Sequence, residues 1–222
     1  MKNRYKSALL LLGLAVWPLR AEIVDRILAV VGNRVITWSA ALPEANYQAF
    51  REGREPPNWG SPASAIPDDA RQVVARLIDQ ALLEQAMARS PFSAPPDEEF
   101  QDPLRELQQR FASPDAYREA LGRYHLTEEE VAARIARERH LMAFVDATLR
   151  PRARISPQQI EDYYQSDFRP EWQRRQGSAP APPLSEVQGQ IEEILAEQEI
   201  NRMLERWLAD LRRGTSVKIW AE

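Results

Sequence analysis

Cysteine is absent from this 222-residue chain. Disulfides, thiolate metal sites and a cysteine nucleophile are therefore excluded, and the fold must be held by packing. Histidine is nearly absent. His125 and His140 are the only two, too few and too far apart for a histidine metal centre. His140 lies in a helix among charges and His125 in an interhelical turn, so both read as solvated surface residues. Glycine is limited to eight residues, which makes a phosphate-cradling loop hard to place, and G-x-S-x-G and H-E-x-x-H motifs are missing. Carboxylates are plentiful, but Asp97–Glu99 and Glu128–Glu130 sit at helix starts, where negative charge suits the helix dipole. No catalytic residue, no metal and no cofactor is expected.

One short apolar run is present. Lys2, Arg4 and Lys6 precede the unbroken apolar and small-residue stretch Ala8–Val16, and Ala21 offers a small residue at a cleavage point. Residues 1–21 thus read as a Sec-type signal peptide, with a core too short for an ordinary membrane span. Cleavage would release the rest as an exported protein; an uncleaved signal would tether it to the membrane. The formal net charge of −4 includes four basic residues of that signal, so the remainder is more acidic still. An acidic chain has no broad attraction for nucleic acid.

The two ends carry strand character and nearly everything between them reads as helix. Val24–Val31 and Arg34–Trp38 flank Gly32-Asn33, a two-residue hairpin signal. Ser216–Trp220 is the only other strand, and pairing it with the hairpin would stabilise an otherwise marginal unit. Ser39 stands as an N-cap for Ala40–Phe50, with Pro43 in the first turn. Arg51–Pro67 is rich in proline and glycine and forms an irregular loop. Trp59, at its centre, either folds back onto the helices or is presented to a client.

Asp68 or Asp69 caps a helix with apolar residues from Val73 to Met87 at helical spacing. Pro103 either kinks the stretch Asp97–Phe111 or opens its regular part. Ser113-Pro114 and Ser156-Pro157 open further helices. Thr127 with Glu130 is a capping box. It starts a helix whose apolar stripe is Val131, Ile135, Met142, Val145 and Leu149, with Glu130 spaced to pair with Arg134 on a solvated face. Pro170, Gly177, Pro180, Pro182 and Pro183 make Arg169–Pro183 a Pro/Arg-rich linker. Ser185 with Gln188 reads as another capping box, opening the longest helix, which stops at Gly214.

The segments VDRILAVVGNRVIT, RQVVARLIDQALLEQ, LTEEEVAARIARERHL and ISPQQIEDYY, with EVQGQIEEILAEQEINRMLERWLADLRRGTSVKIW at the end, resemble in order the N-terminal domain of SurA-type periplasmic chaperones. The resemblance covers nearly the whole chain after residue 21. It implies a mainly α domain, 22–168, with a small antiparallel β-hairpin completed by a C-terminal helix and strand, 184–222. It also implies binding of unfolded or extended polypeptides, outer-membrane proteins among them. Family members that isomerise prolyl bonds carry a parvulin domain between the last two segments. Here only 169–183 fills that gap, too little for a folded domain, so no isomerase activity is expected. Tyr47, Phe50 and Trp59, which adjoin the irregular loop, are the candidate client-binding residues. A homodimer formed by exchange of the terminal helix and strand is the alternative, with 169–183 as the tether.

Overall fold

The computed structural model describes residues 25–96, 101–177 and 179–220. Residues 1–21, where a signal peptide is expected, the acidic run Asp97–Glu99 and Phe100 lie outside them. The described chain is mainly helical, with one three-stranded antiparallel sheet.

Strands β1 (Ile27–Val31) and β2 (Arg34–Thr37) form the expected hairpin. Gly32 takes φ +62 at the first central position of the turn, which favours glycine. The register shifts between Ile27 and Ala29. This bulge breaks the in-out alternation, so Leu28 and Ala29 both point into the core with no exposure. The last strand, β3 (Val217–Ile219), pairs with β1 on its other side, Val30 opposite Lys218, giving the order β2-β1-β3. Gly32 N–H donates to the Ser216 carbonyl and Trp220 N–H to the Leu28 carbonyl, both at 2.8 Å, extending the join at each end.

Helix α1 (Trp38–Glu52) is capped by Thr37 rather than Ser39. The Thr37 hydroxyl accepts from Ala40 N–H at 3.3 Å. Ser39 instead donates its hydroxyl and its N–H to the Asp25 carboxylate, at 2.6 and 3.1 Å. The earlier start places Pro43 inside the helix, two residues further in than the expected start at Ala40 put it. Helix α2 (Asp68–Ala88) has Pro67 at its N-cap position and no side-chain cap; Asp68 and Asp69 lie in its first turn, where they suit the dipole. The sheet, α1 and α2 enclose the first core, built on Leu28, Val31, Ile36, Trp38, Val74 and Ile78.

The second core gathers the end of α1 against α3 (Gln101–Gln108), α4 (Pro114–Arg123) and the start of α5 (Glu128–Leu149). Pro103 falls early in α3, within its first described turn. Ser113 caps α4, and Thr127 with Glu130 forms the expected capping box on α5. His125 bridges α4 and α5 at φ +53.

Helix α6 (Pro157–Tyr163) runs through a wider π-type segment, Tyr164–Phe168, into α7 (Arg169–Gln176). The expected linker is therefore half helix. Pro170 has no N–H to donate and its ring clashes with a regular preceding turn; the widened segment just before it absorbs both. The helix ends at Gly177, φ +63, so the irregular connection is confined to 177–183. Helix α8 (Leu184–Gly214) follows, and its N-cap position holds Pro183 without a side-chain bond, so the Ser185 capping box does not form. Its middle packs on α2 and α5 in the third core, around Leu83, Leu141, Leu149 and Ile200. Its N-terminal half covers Ile160 and Tyr164 in the fourth.

Asp25 links the sheet to α1. Slight burial works against its charge, but bonds from the Ser39 hydroxyl, Ser39 N–H and Arg26 N–H prevail and hold its carboxyl down, from 3.8 to about 2. A lowered folded pKa stabilises the fold above the unfolded value and loses that contribution as pH falls through the folded one. Asp25→Ala should cost about 1 kcal/mol in urea unfolding at neutral pH, and the gap between variant and parent should close as pH falls from about 4 towards 2.

Candidate client-binding groove

The structure corrects the three sequence-chosen contacts. Tyr47, Phe50 and Trp59 are all buried. Trp59 turns inward to meet Trp38 edge-on, centroids 5.3 Å apart at 70°, and its Nε1 donates to Asp69 Oδ2 at 3.0 Å. Phe50 stacks on Phe111 at 5.5 Å and meets Tyr124 edge-on. A large aromatic in a loop of prolines gains more from the core than from water, and the same holds at the end of α1.

Tyr47 lies between two cations. The guanidinium carbons of Arg51 and Arg134 stand 5.6 and 5.7 Å from its ring centroid. Arg51 pairs with Glu138 at 2.7 Å, and Arg134 with Glu44 at 3.4 Å. Arg134 also donates to the Glu130 main-chain carbonyl, so the expected Glu130–Arg134 ion pair gives way to a bridge from α5 to α1. Burial foremost, then the Glu138 charge, push the Tyr47 hydroxyl up to about 12; burial likewise raises the Glu138 carboxyl. The cluster is a staple between α1 and α5. His140 departs from the solvated reading too: half-buried, its Nε2 lies 2.9 Å from the Pro95 carbonyl.

Open apolar surface lies elsewhere. Between the second half of α5 and the middle of α8 runs a groove of about 550 Å³. Leu83, Leu141, Val145, Ile200 and Leu204 form its floor. Met142, expected inward, is 63% exposed on its lip. The reason is a change of face along α5. Val131 and Ile135 serve the second core, whereas Leu141, Val145 and Leu149 serve the third. At the helical repeat the centre of the buried face drifts by roughly 60° between the two sets, and Met142, which continues the first set, is left at the edge and outside. The two helices run antiparallel, since Arg150 meets Glu193 and Glu197 while Phe144 meets Trp207 further along α8.

A second cleft, about 540 Å³, separates α7 from the start of α8 and is lined by Tyr163, Phe168, Trp172, Val187 and Ile194. Trp172 stacks on Phe168 and Phe168 on Tyr164. Reading 169–183 as a linker hid this wall; the spacing Tyr164, Phe168, Trp172 was its available signal. Several exposed apolar residues, Ile27, Val35, Ile219 and Trp220, belong to the sheet and its end.

Among the described residues no three His, Cys, Asp or Glu side chains converge to hold a metal, and no helix is long and apolar enough to cross a membrane. No protein-family model matches the chain, and comparison with curated proteins returned no match. The functional reading therefore stands on the groove and on the order of segments in the sequence.

Because Trp59 is a core residue, its loss should act on folding. Trp59→Ala should destabilise the protein by roughly 3–5 kcal/mol in denaturant unfolding.

Proposed function

We propose that this protein is a chaperone-like binding module of the SurA type, exported to the periplasm, which holds unfolded or extended polypeptides, outer-membrane proteins among them, without isomerising prolyl bonds. The observation that carries this is the α5–α8 groove: an aliphatic floor under a solvent-exposed Met142. Aliphatic walls reward burial of any apolar side chain. Methionine is unbranched and polarizable and adapts to differently shaped guests. Such binding needs neither a cofactor nor an energy source. The short connection at 177–183 has no room for an isomerase domain.

The alternative is an assembly role through a dimer that exchanges α8 and β3. It draws support from β3 pairing over only three residues, Val217–Ile219, at the end of a helix joined to the rest through 177–183.

Added to an unfolded outer-membrane protein, the protein without its signal should suppress aggregation near equimolar ratio. Met142→Asp, which sets a carboxylate over the apolar floor, should weaken client binding at least about ten-fold without loss of stability. Unchanged aggregation at molar excess would sink this reading. Light scattering should give a monomer; a concentration-independent dimer without client binding would favour the exchanged assembly. A prolyl isomerase assay should return background.

A further inference from the structure

The groove is electrically polar along its length. At one end Arg150 faces three carboxylates: Asp146 at 2.6 Å, Glu193 at 3.0 Å, and Glu197. One guanidinium against three carboxylates leaves that end with an excess of two negative charges. At the other end stands Arg139, exposed and with no ion pair or hydrogen bond among the described residues. Its neighbour Arg137 is answered by Glu84 at 3.8 Å. Arg139 feels the Glu138 charge, but Glu138 is already paired with Arg51, so the positive end is a cation without an ion pair of its own among the described residues and the negative end an over-supplied acid cluster. Leu141, Met142 and Val145 lie between them.

From Arg139 to Arg150 is eleven residues along the helix, roughly 16 Å at the helical rise. An extended chain covers that distance with about five residues. Resting on the groove assignment made above, we infer that the preferred occupant is an extended segment of about five apolar residues flanked by a basic residue on one side and an acidic residue on the other. The base meets the Asp146–Glu197 end and the acid meets Arg139. A segment lying in either chain direction can satisfy both ends, so the order of the two charges in the client is immaterial. The apolar floor supplies the affinity and the ends select among apolar segments, as rim charges do at other interfaces.

The test uses four labelled seven-residue peptides with blocked termini and five central residues alternating leucine and phenylalanine. Their end pairs are lysine–glutamate, lysine–lysine, glutamate–glutamate and serine–serine. Fluorescence anisotropy at low salt should give the lysine–glutamate peptide a Kd about five-fold below those of the two like-charged peptides. Half-molar sodium chloride should reduce the spread to less than about two-fold. Arg139→Glu should transfer the preference to the lysine–lysine peptide. Arg139→Ala, which adds no charge, should abolish only the contribution of the acidic end. Four peptides binding within two-fold of one another at low salt would overturn the polarity and leave the groove standing. Failure of all four to bind would overturn the groove itself and the inference with it.

Discussion

The join between Ala29–Val31 and Val217–Ile219 is the contact on which the rest of the molecule depends. It anchors the far end of a 31-residue helix, about 46 Å long at the helical rise. That helix is half-exposed along much of its length and cannot hold its course by intrinsic propensity alone. Its start is fixed by Ile160 and Tyr164, with the Tyr164 hydroxyl bound to the Pro182 carbonyl at 2.8 Å. Its middle rests on Leu83, Leu141 and Leu149, and Leu211 reaches the edge of the sheet core. Arg212 paired with Asp79 at 2.6 Å steadies the last turn before β3. Without the strand, the third core would lose the constraint that keeps α8 against α5, and the groove is the space between those two helices.

Charge is spent on joining helices. Arg34–Glu84 ties the hairpin to α2, Arg51–Glu138 and Arg134–Glu44 tie α1 to α5, and Arg150 ties the end of α5 to α8. Most of these pairs are partly solvated, and such pairs contribute little stability each. Their value lies in orientation: each crosses between elements remote in sequence. The Arg134–Glu44 pair is the exception in burial, and the Tyr47 ring packed beside it keeps both charges in a fixed arrangement. Cations and carboxylates in such pairs are not poised for acid–base work, because each has an answering charge already in place. Arg139 is different: among the described residues it feels the Glu138 charge but makes no ion pair or hydrogen bond.

The gross architecture was legible because it depends on local signals. The Gly32-Asn33 turn, the Thr127–Glu130 box and the Ser-Pro helix starts each act within a few residues, and each lies where the sequence places it. Legibility failed where a tertiary partner outcompeted the local option. Ser39 was drawn to Asp25, so Thr37 became the cap. Asp69 was taken by Trp59. Pro170 was read as a helix breaker because sequence alone does not announce the widened turn that accommodates it. The candidate site suffered most. Tyr47, Phe50 and Trp59 were chosen for their proximity to a loop, but proximity says nothing of which side of the loop is dry.

Met142 was misassigned for a more general reason, and that reason is what creates the groove. A helix that packs on one core through all its turns shows a single stripe, and every apolar residue on the stripe is buried. Helix α5 belongs to two cores in succession, and its buried face drifts by roughly 60° between them. At the change, a residue that continues the first stripe is stranded on the outside. Here it stands beside the floor of the second, so apolar surface accumulates at one place without any dedicated pocket. Such a surface is shallow. Two or three guest side chains, at about 1.5–3 kcal/mol each, set against the cost of ordering an extended chain, would leave only a weak affinity for any segment laid there.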